Sequence, residues 1–290
     1  MQKMVWTNKR RLALALISAL LVAAIAWIAW GNKALELNTY TVTSDKLPDS
    51  FDGFRIAQVS DLHNVEMGEN NERLLTMLRE AQPDIIVITG DMIASPRNTR
   101  VDVALDFAEQ ALTLAPCYYV TGNHEQKTAK YADLKAGLTA LGVTVLEDER
   151  VELERAGEAI TVMGVDDPRF HSDASLSDEA IMDAKLKALV RDEDGYTVLL
   201  SHRPELFEVY AEYGLDLVFS GHAHGGQFRL PLVGGVVAPG QGLFPKYDAG
   251  LFEEGETHMV VSRGIGNSII PFRVNNRPEV VLVELHTVLP

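Results

Sequence analysis

Five apolar runs, residues 56–60, 85–89, 118–121, 197–201 and 217–220, each end on serine or threonine and give way at once to polar residues. Short runs bounded in this way read as buried strands. Between them lie helical patterns: Leu74, Leu75, Leu78 and Ala81 ahead of Pro83, then Val101, Leu105, Ala108 and Leu112, and later Ile181, Leu186 and Leu189. Strand alternating with helix confines the chain to an α/β protein with buried sheets. Beyond Gly225 the pattern turns strand-rich, most clearly at residues 259–262 and 280–285. Functional groups in α/β folds gather past the carboxyl ends of strands. Residues as distant as Asp61 and His224, 163 positions apart, are thereby brought within reach of one another.

The residues just past the five runs are chemically uniform: Asp61-Leu62-His63, Gly90-Asp91, Gly122-Asn123-His124-Glu125, His202, and Gly221-His222-Ala223-His224. Five of the eight histidines fall here. Imidazole, carboxylate and amide oxygen together suit Mn, Fe, Zn or Co, and the single cysteine, Cys117, excludes a thiolate site and an intrachain disulfide alike. Seven candidate ligands exceed the needs of one ion. Two ions about 3.5 to 4 Å apart that share a carboxylate would use them all, an arrangement suited to displacement at phosphorus. The i, i+2 spacing of Asp61 with His63, and of His222 with His224, predicts extended segments with each pair on one side.

The composition, 47% apolar and 23% charged, is that of a globular chain. With 26 basic against 41 acidic residues the net charge is −15, so no broad basic face is on offer and no nucleic-acid partner is expected. Residues 12–30 carry no charge and one polar side chain, Ser18; as a helix they reach roughly 28 Å, about one hydrocarbon thickness. Lys3, Lys9, Arg10 and Arg11 precede them, and Lys33 is the only basic residue from there to Lys46. That bias leaves residues 1–11 in the cytoplasm and the bulk of the chain outside it, in a single-pass protein of the inner or plasma membrane. Trp6, Trp27 and Trp30 fit an interfacial belt. A cleaved signal peptide is the competing reading, but the small pair Ala24 and Ala26 lies inside an apolar run longer than a usual signal core, which favours a retained anchor. Without residues 1–31 the remainder has 22 basic and 41 acidic residues, a net −19. Residues 31–50 read as a juxtamembrane connector joined to an edge strand near 37–42, and 51–290 as one undivided domain.

The motifs DxH, GD, GNHE, H and GHxH, in that order, resemble the signature of calcineurin-like metallophosphoesterases. The likeness extends over residues 51–285, and the tail Arg263-Gly264-Ile265-Gly266 with Arg277-Pro278-Glu279 resembles a small bacterial subgroup with an N-terminal membrane segment or export signal. It implies a four-layer α/β/β/α sandwich of two mixed β-sheets, the metallo-dependent phosphatase fold, behind one N-terminal transmembrane helix. It further implies that Asp61, His63 and His224 hold a first divalent ion, that Asp91 bridges, and that Asn123, His202 and His222 hold a second. His124 then stands outside the ligand set, touching the substrate or protonating the leaving oxygen, and Glu125 supports from behind. The implied reaction is hydrolysis of a phosphodiester or pyrophosphate by a hydroxide held between the ions. Lipid-linked substrates such as a UDP-diacylglucosamine lipid A precursor fall within it, although a precursor handled in the cytoplasm conflicts with the charge-derived topology. The alternatives are a noncatalytic metal-stabilised sensor or scaffold, whose mark would be degenerate ligands, and a nucleotide phosphatase or nuclease.

Several residues carry weaker expectations. Arg97, Lys127, Arg203, Arg229, Arg263, Arg273 and Arg277 are candidates for contacting substrate phosphate, Arg203 and Arg263 foremost. Gln227 either binds a ligand or closes a turn. Asp166 and Asp167 read as loop residues at the site rim, Cys117 as a small buried hydrophobe, and His171, His258 and His286 as structural.

Overall fold

The computed structural model describes residues 8–94, 99–171, 173, 175–267 and 270–288; Lys3, Trp6 and Arg97 lie outside them. Helix α1 (Asn8–Gly31) precedes strand β1 (Glu36–Ser44). Next come β2 (Phe54–Val59), α2 (Glu72–Ala81), β3 (Ile85–Thr89), α3 (Val101–Leu112), β4 (Cys117–Val120), α4 (Tyr131–Leu141) and β5 (Thr144–Val145). The second half runs β6 (Glu149–Arg155), β7 (Glu158–Gly164), α5 (Asp178–Leu189), β8 (Thr197–Leu200), α6 (Phe207–Glu212) and β9 (Leu217–Ser220). Two short ribbons, β10 (Arg229–Leu230) with β11 (Gly234–Gly235) and β12 (Val237–Ala238) with β13 (Gly242–Leu243), lead to β14 (Gly250–Glu254), β15 (Thr257–Val261) and β16 (Glu279–Thr287).

Two six-stranded mixed sheets result, ordered β1-β16-β2-β3-β4-β5 and β14-β15-β9-β8-β7-β6. Strand alternation builds the layers. In β3, Ile86 and Ile88 face α2, α3 and α4, while Ile85 and Val87 face the other sheet. In β9, Leu217 and Phe219 meet that inner face, and Val218 packs toward α5 and α6. Each strand is apolar on both faces because each sheet is covered on both. The outcome is the four-layer α/β/β/α sandwich that the resemblance implies.

Two details differ from the sequence reading. Strand β1 is the edge strand expected near 37–42, but it pairs along its whole length with β16, so the first sheet begins at Glu36, ahead of a domain start at residue 51; Val42, buried between the sheets, ties it in. In α3 the buried stripe is Ala104, Phe107, Ala108 and Ala111, whereas Val101, Leu105 and Leu112 are half-buried, because Leu105 turns aside to pack on Gly137 of α4. Helix α1 buries none of its side chains; its length, about 36 Å at 1.5 Å per residue, and its composition suffice to cross a bilayer.

Candidate metal centre

The motif loops leave the carboxyl ends of parallel strands: β2, β3 and β4 in the first sheet, β8 and β9 in the second. The serines and threonines that close these strands fasten the two edges together. Gln58 Nε2 donates to Thr89 Oγ1 on the neighbouring strand and across to Ser220 O of the second sheet, both at 2.8 Å. Ser60 Oγ donates to Asp61 Oδ2 (2.6 Å), and Thr89 O accepts from His202 Nδ1 (2.7 Å). The tail adds a strap, with Ile265 N donating to Ser60 O (3.0 Å) and Gly266 N to Asp61 O (2.7 Å).

Asp61, His63, Asp91, Asn123, His202, His222 and His224 are all buried and converge on this seam. Asp61, His63 and His224 form one cluster and Asp91, His202 and His222 another, with ligand atoms in each within 4.8 Å. Asp61 Oδ1 lies 3.7 Å from His63 Nε2 and 3.3 Å from His224 Nε2. Asp91 Oδ2 stands between the clusters, 3.4 Å from His202 Nε2, 3.5 Å from His63 Nε2 and 3.9 Å from His124 Nε2. Asp91 Oδ1 accepts the His124 backbone N–H at 2.8 Å. The partly exposed His124 ring sets its edge on His63, with centroids 4.5 Å apart.

The donor set fits divalent cations. Asp61 Oδ1, Asn123 Oδ1 and His202 Nε2 are buried without a hydrogen-bond partner among the described residues, a costly condition that a cation would relieve. The His202 Nδ1 hydrogen bond to Thr89 O fixes the ring so that Nε2 faces Asp91. Burial alone would raise both aspartates, yet the surrounding imidazoles hold Asp61 and Asp91 below the ordinary carboxylate range. Burial drives His224 down to about 3 and His222 well below its usual value. Against burial, the Asp91 charge lifts His202 to about 10. Anionic carboxylates and neutral imidazoles are the forms that bind cations.

The backbone differs from expectation. Asp61 (φ 52°), His63 (47°), His222 (65°) and His224 (47°) are left-handed rather than extended, as is Asp91 (51°). The chain must turn back over the strand ends to aim these side chains at the seam, and hydrogen bonds such as His63 N to Asp91 O (3.0 Å) hold the strained turns. Asp61 and His63 still meet, but His222 and His224 part, one to each cluster. Gly221 is required at its position: a Cβ there would strike Ser60 Oγ and Asp61 Oδ2. Glu125, fully buried, accepts from the backbone N–H groups of Asp91 (3.0 Å), Gly122 (2.9 Å) and Ile93 (3.3 Å), holding two motif loops in register.

The basic candidates fare differently. Arg203 is buried and doubly paired with Asp167 (2.5 and 3.0 Å), a pairing the sequence does not display, so it braces His222 instead of reaching substrate. Asp167 is accordingly interior, not at the rim. Arg263 pairs with Glu279 and Glu36, Arg229 with Asp248. Arg273 is fully buried among the carbonyls of Arg263 and Gly266, and Arg277 donates to Ala34 O and Leu35 O. Lys127 is exposed, and the charges that act on it include Asp91, Arg169 and Arg203. The sequence does not single out Arg169, an exposed cation just after Asp167-Pro168, nor Glu205, a carboxylate 3.8 Å from His222 Nε2 whose nearness to His202 in sequence was the available signal. Gln227 closes a turn onto Ile270 O and Phe272 O. Cys117 is buried, its thiol pushed up to about 12. His258 and His286 pair with Glu253 and Asp52 in the C-terminal strands, and His171 is exposed.

A family model described as calcineurin-like phosphoesterase matches residues 54–226. The chain is 31% identical over 264 residues to YkuE, an uncharacterized metallophosphoesterase of Bacillus subtilis, covering 87% of this chain and 85% of that protein. It is 31% identical over 208 residues to the phosphodiesterase YaeI of Escherichia coli, 71% of this chain and 72% of the other. A transmembrane protein with metallophosphoesterase domain from Danio rerio is 28% identical over 94% of this chain and 62% of its own length.

Proposed function

This chain belongs to the calcineurin-like phosphoesterase family and is a metal-dependent hydrolase of phosphoric esters, and we propose that it is a membrane-anchored phosphodiesterase or pyrophosphatase with a dinuclear metal centre. The ligands in this reading are Asp61, His63 and His224 for one ion, Asn123, His202 and His222 for the other, and Asp91 for both. The observation that carries it is Asp91 Oδ2, set among three imidazole nitrogens from three different loops, with Asp61 Oδ1 and Asn123 Oδ1 buried without a hydrogen-bond partner among the described residues. When bound, divalent cations lend Lewis acidity to phosphoryl oxygens and bring the pKa of water toward neutrality, so that hydroxide is available as the nucleophile.

The chain's own residues supply the rest. Asp91 places its carboxylate on the seam and fixes His124 through the backbone hydrogen bond. His124 Nε2 is where a proton would pass to the leaving oxygen; burial lowers this imidazolium to about 4, and an arriving phosphoryl anion favours the protonated ring. Lys127, within the influence of the Asp91 and Arg169 charges, and Arg169 are exposed cations that would meet a phosphate in this reading. Hydrolysis forms one P–O bond to a water oxygen and breaks another, and the proton that water gives up ends on the departing alcohol or phosphate.

Helix α1 supports the anchor, and the name of the Danio rerio relative agrees with it. The basic residues ahead of the span support a domain outside the cytoplasm. The name of the Escherichia coli relative supports a diester, and anchoring makes a lipid-linked phosphate ester or pyrophosphate accessible. The test is the detergent-purified full chain, loaded with manganese and offered bis(p-nitrophenyl) phosphate, p-nitrophenyl phosphate and a nucleoside diphosphate sugar. Diester or pyrophosphate hydrolysis with two ions per chain is expected; turnover of the monoester alone contradicts the reading.

A further inference from the structure

Outside α1, eight large apolar side chains are exposed among the described residues, and six of them lie on the two short ribbons or on the strap packed against them: Leu230, Leu232, Val233, Leu243, Phe244 and Phe272. Single exposed leucines are ordinary, whereas a contiguous set marks an interaction surface. Leu232 is wholly exposed (108%), and both it and Phe244 hold left-handed backbone (φ 67° and 55°), although neither side chain gains burial from it.

This surface is continuous with the end of α1. Asn32, just past the helix, exchanges two 2.8 Å hydrogen bonds with the backbone of Arg273, and Arg277 lies over the Trp30 ring at 5.2 Å. Phe272, next to Arg273, packs on Phe228 with ring centroids 5.6 Å apart. Phe228 O accepts from Val236 N, and Val236 O from Phe244 N, both at 2.8 Å. The apolar tips are thus joined by a short chain of contacts to Trp27 and Trp30, where a spanning helix would leave the hydrocarbon.

We propose that the tips of the two ribbons, with Phe272, enter the boundary between headgroups and acyl chains of the same bilayer that α1 crosses, so that the domain lies on the membrane with its metal centre toward the lipid headgroups. The proposal rests on the reading of α1 as an anchor. The ribbons are built directly onto the site: Val236 N donates to Gly226 O (3.1 Å), and Asn276 Nδ2, from the same strap, donates to His224 O (2.7 Å). A phosphodiester borne by a lipid would reach the seam with its chains still in the leaflet. The bilayer is favoured over a second copy or a protein partner by this continuity with α1.

The test uses the full chain in phosphatidylcholine vesicles. Leu232→Cys and Phe244→Cys, labelled singly with bimane while Cys117 stays buried, are exposed to brominated acyl chains, with Glu193→Cys in the turn before β8 as the control. Quenching at 232 and 244 is expected to exceed that at 193 by about threefold or more; equal quenching, with the chain still resistant to carbonate extraction, overturns the proposal and leaves the anchor standing. Next, the double variant Leu232→Ser, Phe244→Ser is assayed on a diacylglycerol phosphodiester of methylumbelliferone in vesicles and on the soluble methyl phosphodiester of the same phenol. The vesicle rate should fall about tenfold and the soluble rate change by less than about twofold. Equal losses, or no loss, overturn the proposal, as does crosslinking of two chains through the tips without quenching. Failure of the anchor reading shows separately, because carbonate would then strip the unmutated chain from vesicles.

Discussion

Asp91 is the residue on which the proposed chemistry turns, since one of its oxygens positions His124 and the other faces both ligand clusters. Asp91→Asn should lower diester turnover by about a hundredfold or more and deplete bound metal, whereas His124→Ala should lower kcat by about 10² to 10⁴ with metal content kept; turnover and elemental analysis of the same preparations check both. Gly221→Ala would drive a methyl group into Ser60 and Asp61, so metal loss is expected with the fold intact by circular dichroism. Because the Asp91 charge holds His202 protonated up to about 10, cation uptake at pH 8 must displace a proton from it. Manganese added to the apoprotein in weak buffer should therefore acidify the solution; no acidification contradicts this account of His202. At this scale the ligand types were legible because they follow strand ends in sequence. Their left-handed backbones were not, since nothing local to a DxH or GHxH motif reports that the chain must turn back over a sheet edge.

The elements were legible where burial is two-sided. The apolar runs at β2, β3, β4, β8 and β9 have no polar alternation because each sheet is covered on both faces, and three of the residues that close them link the sheets, Ser220 O and Thr89 O as acceptors and Thr121 Oγ1 as donor to Asp166. Pairings between loops distant in sequence were not legible. Arg203 looks like a phosphate ligand until Asp167, 36 residues away, is found against it. Asp167→Ala would leave the buried Arg203 guanidinium with Glu205 (3.1 Å) in place of its doubly paired carboxylate, and a loss of roughly 3 kcal/mol in unfolding free energy is expected, read by denaturant titration. An unchanged midpoint would show that Arg203 finds another partner.

For the whole molecule, the edge strand decides where the domain can be cut. A chain beginning at Gly31 keeps β1, whereas one beginning at Lys46 lacks it and leaves the long strand β16 as an open, apolar edge. The first should remain monodisperse in size-exclusion chromatography and the second should aggregate or melt lower; equal behaviour would make β1 dispensable. The sequence shows an edge strand here but not its partner, which lies more than 200 residues downstream. Two sheets, the first completed by β16 from the far end of the chain, bring seven side chains to one seam, and that convergence is the central claim. Anomalous diffraction from crystals grown with manganese tests it most directly. Two peaks flanking Asp91 Oδ2, one beside Asp61, His63 and His224 and one beside Asn123, His202 and His222, are predicted; a single peak, or peaks away from Asp91, would contradict it.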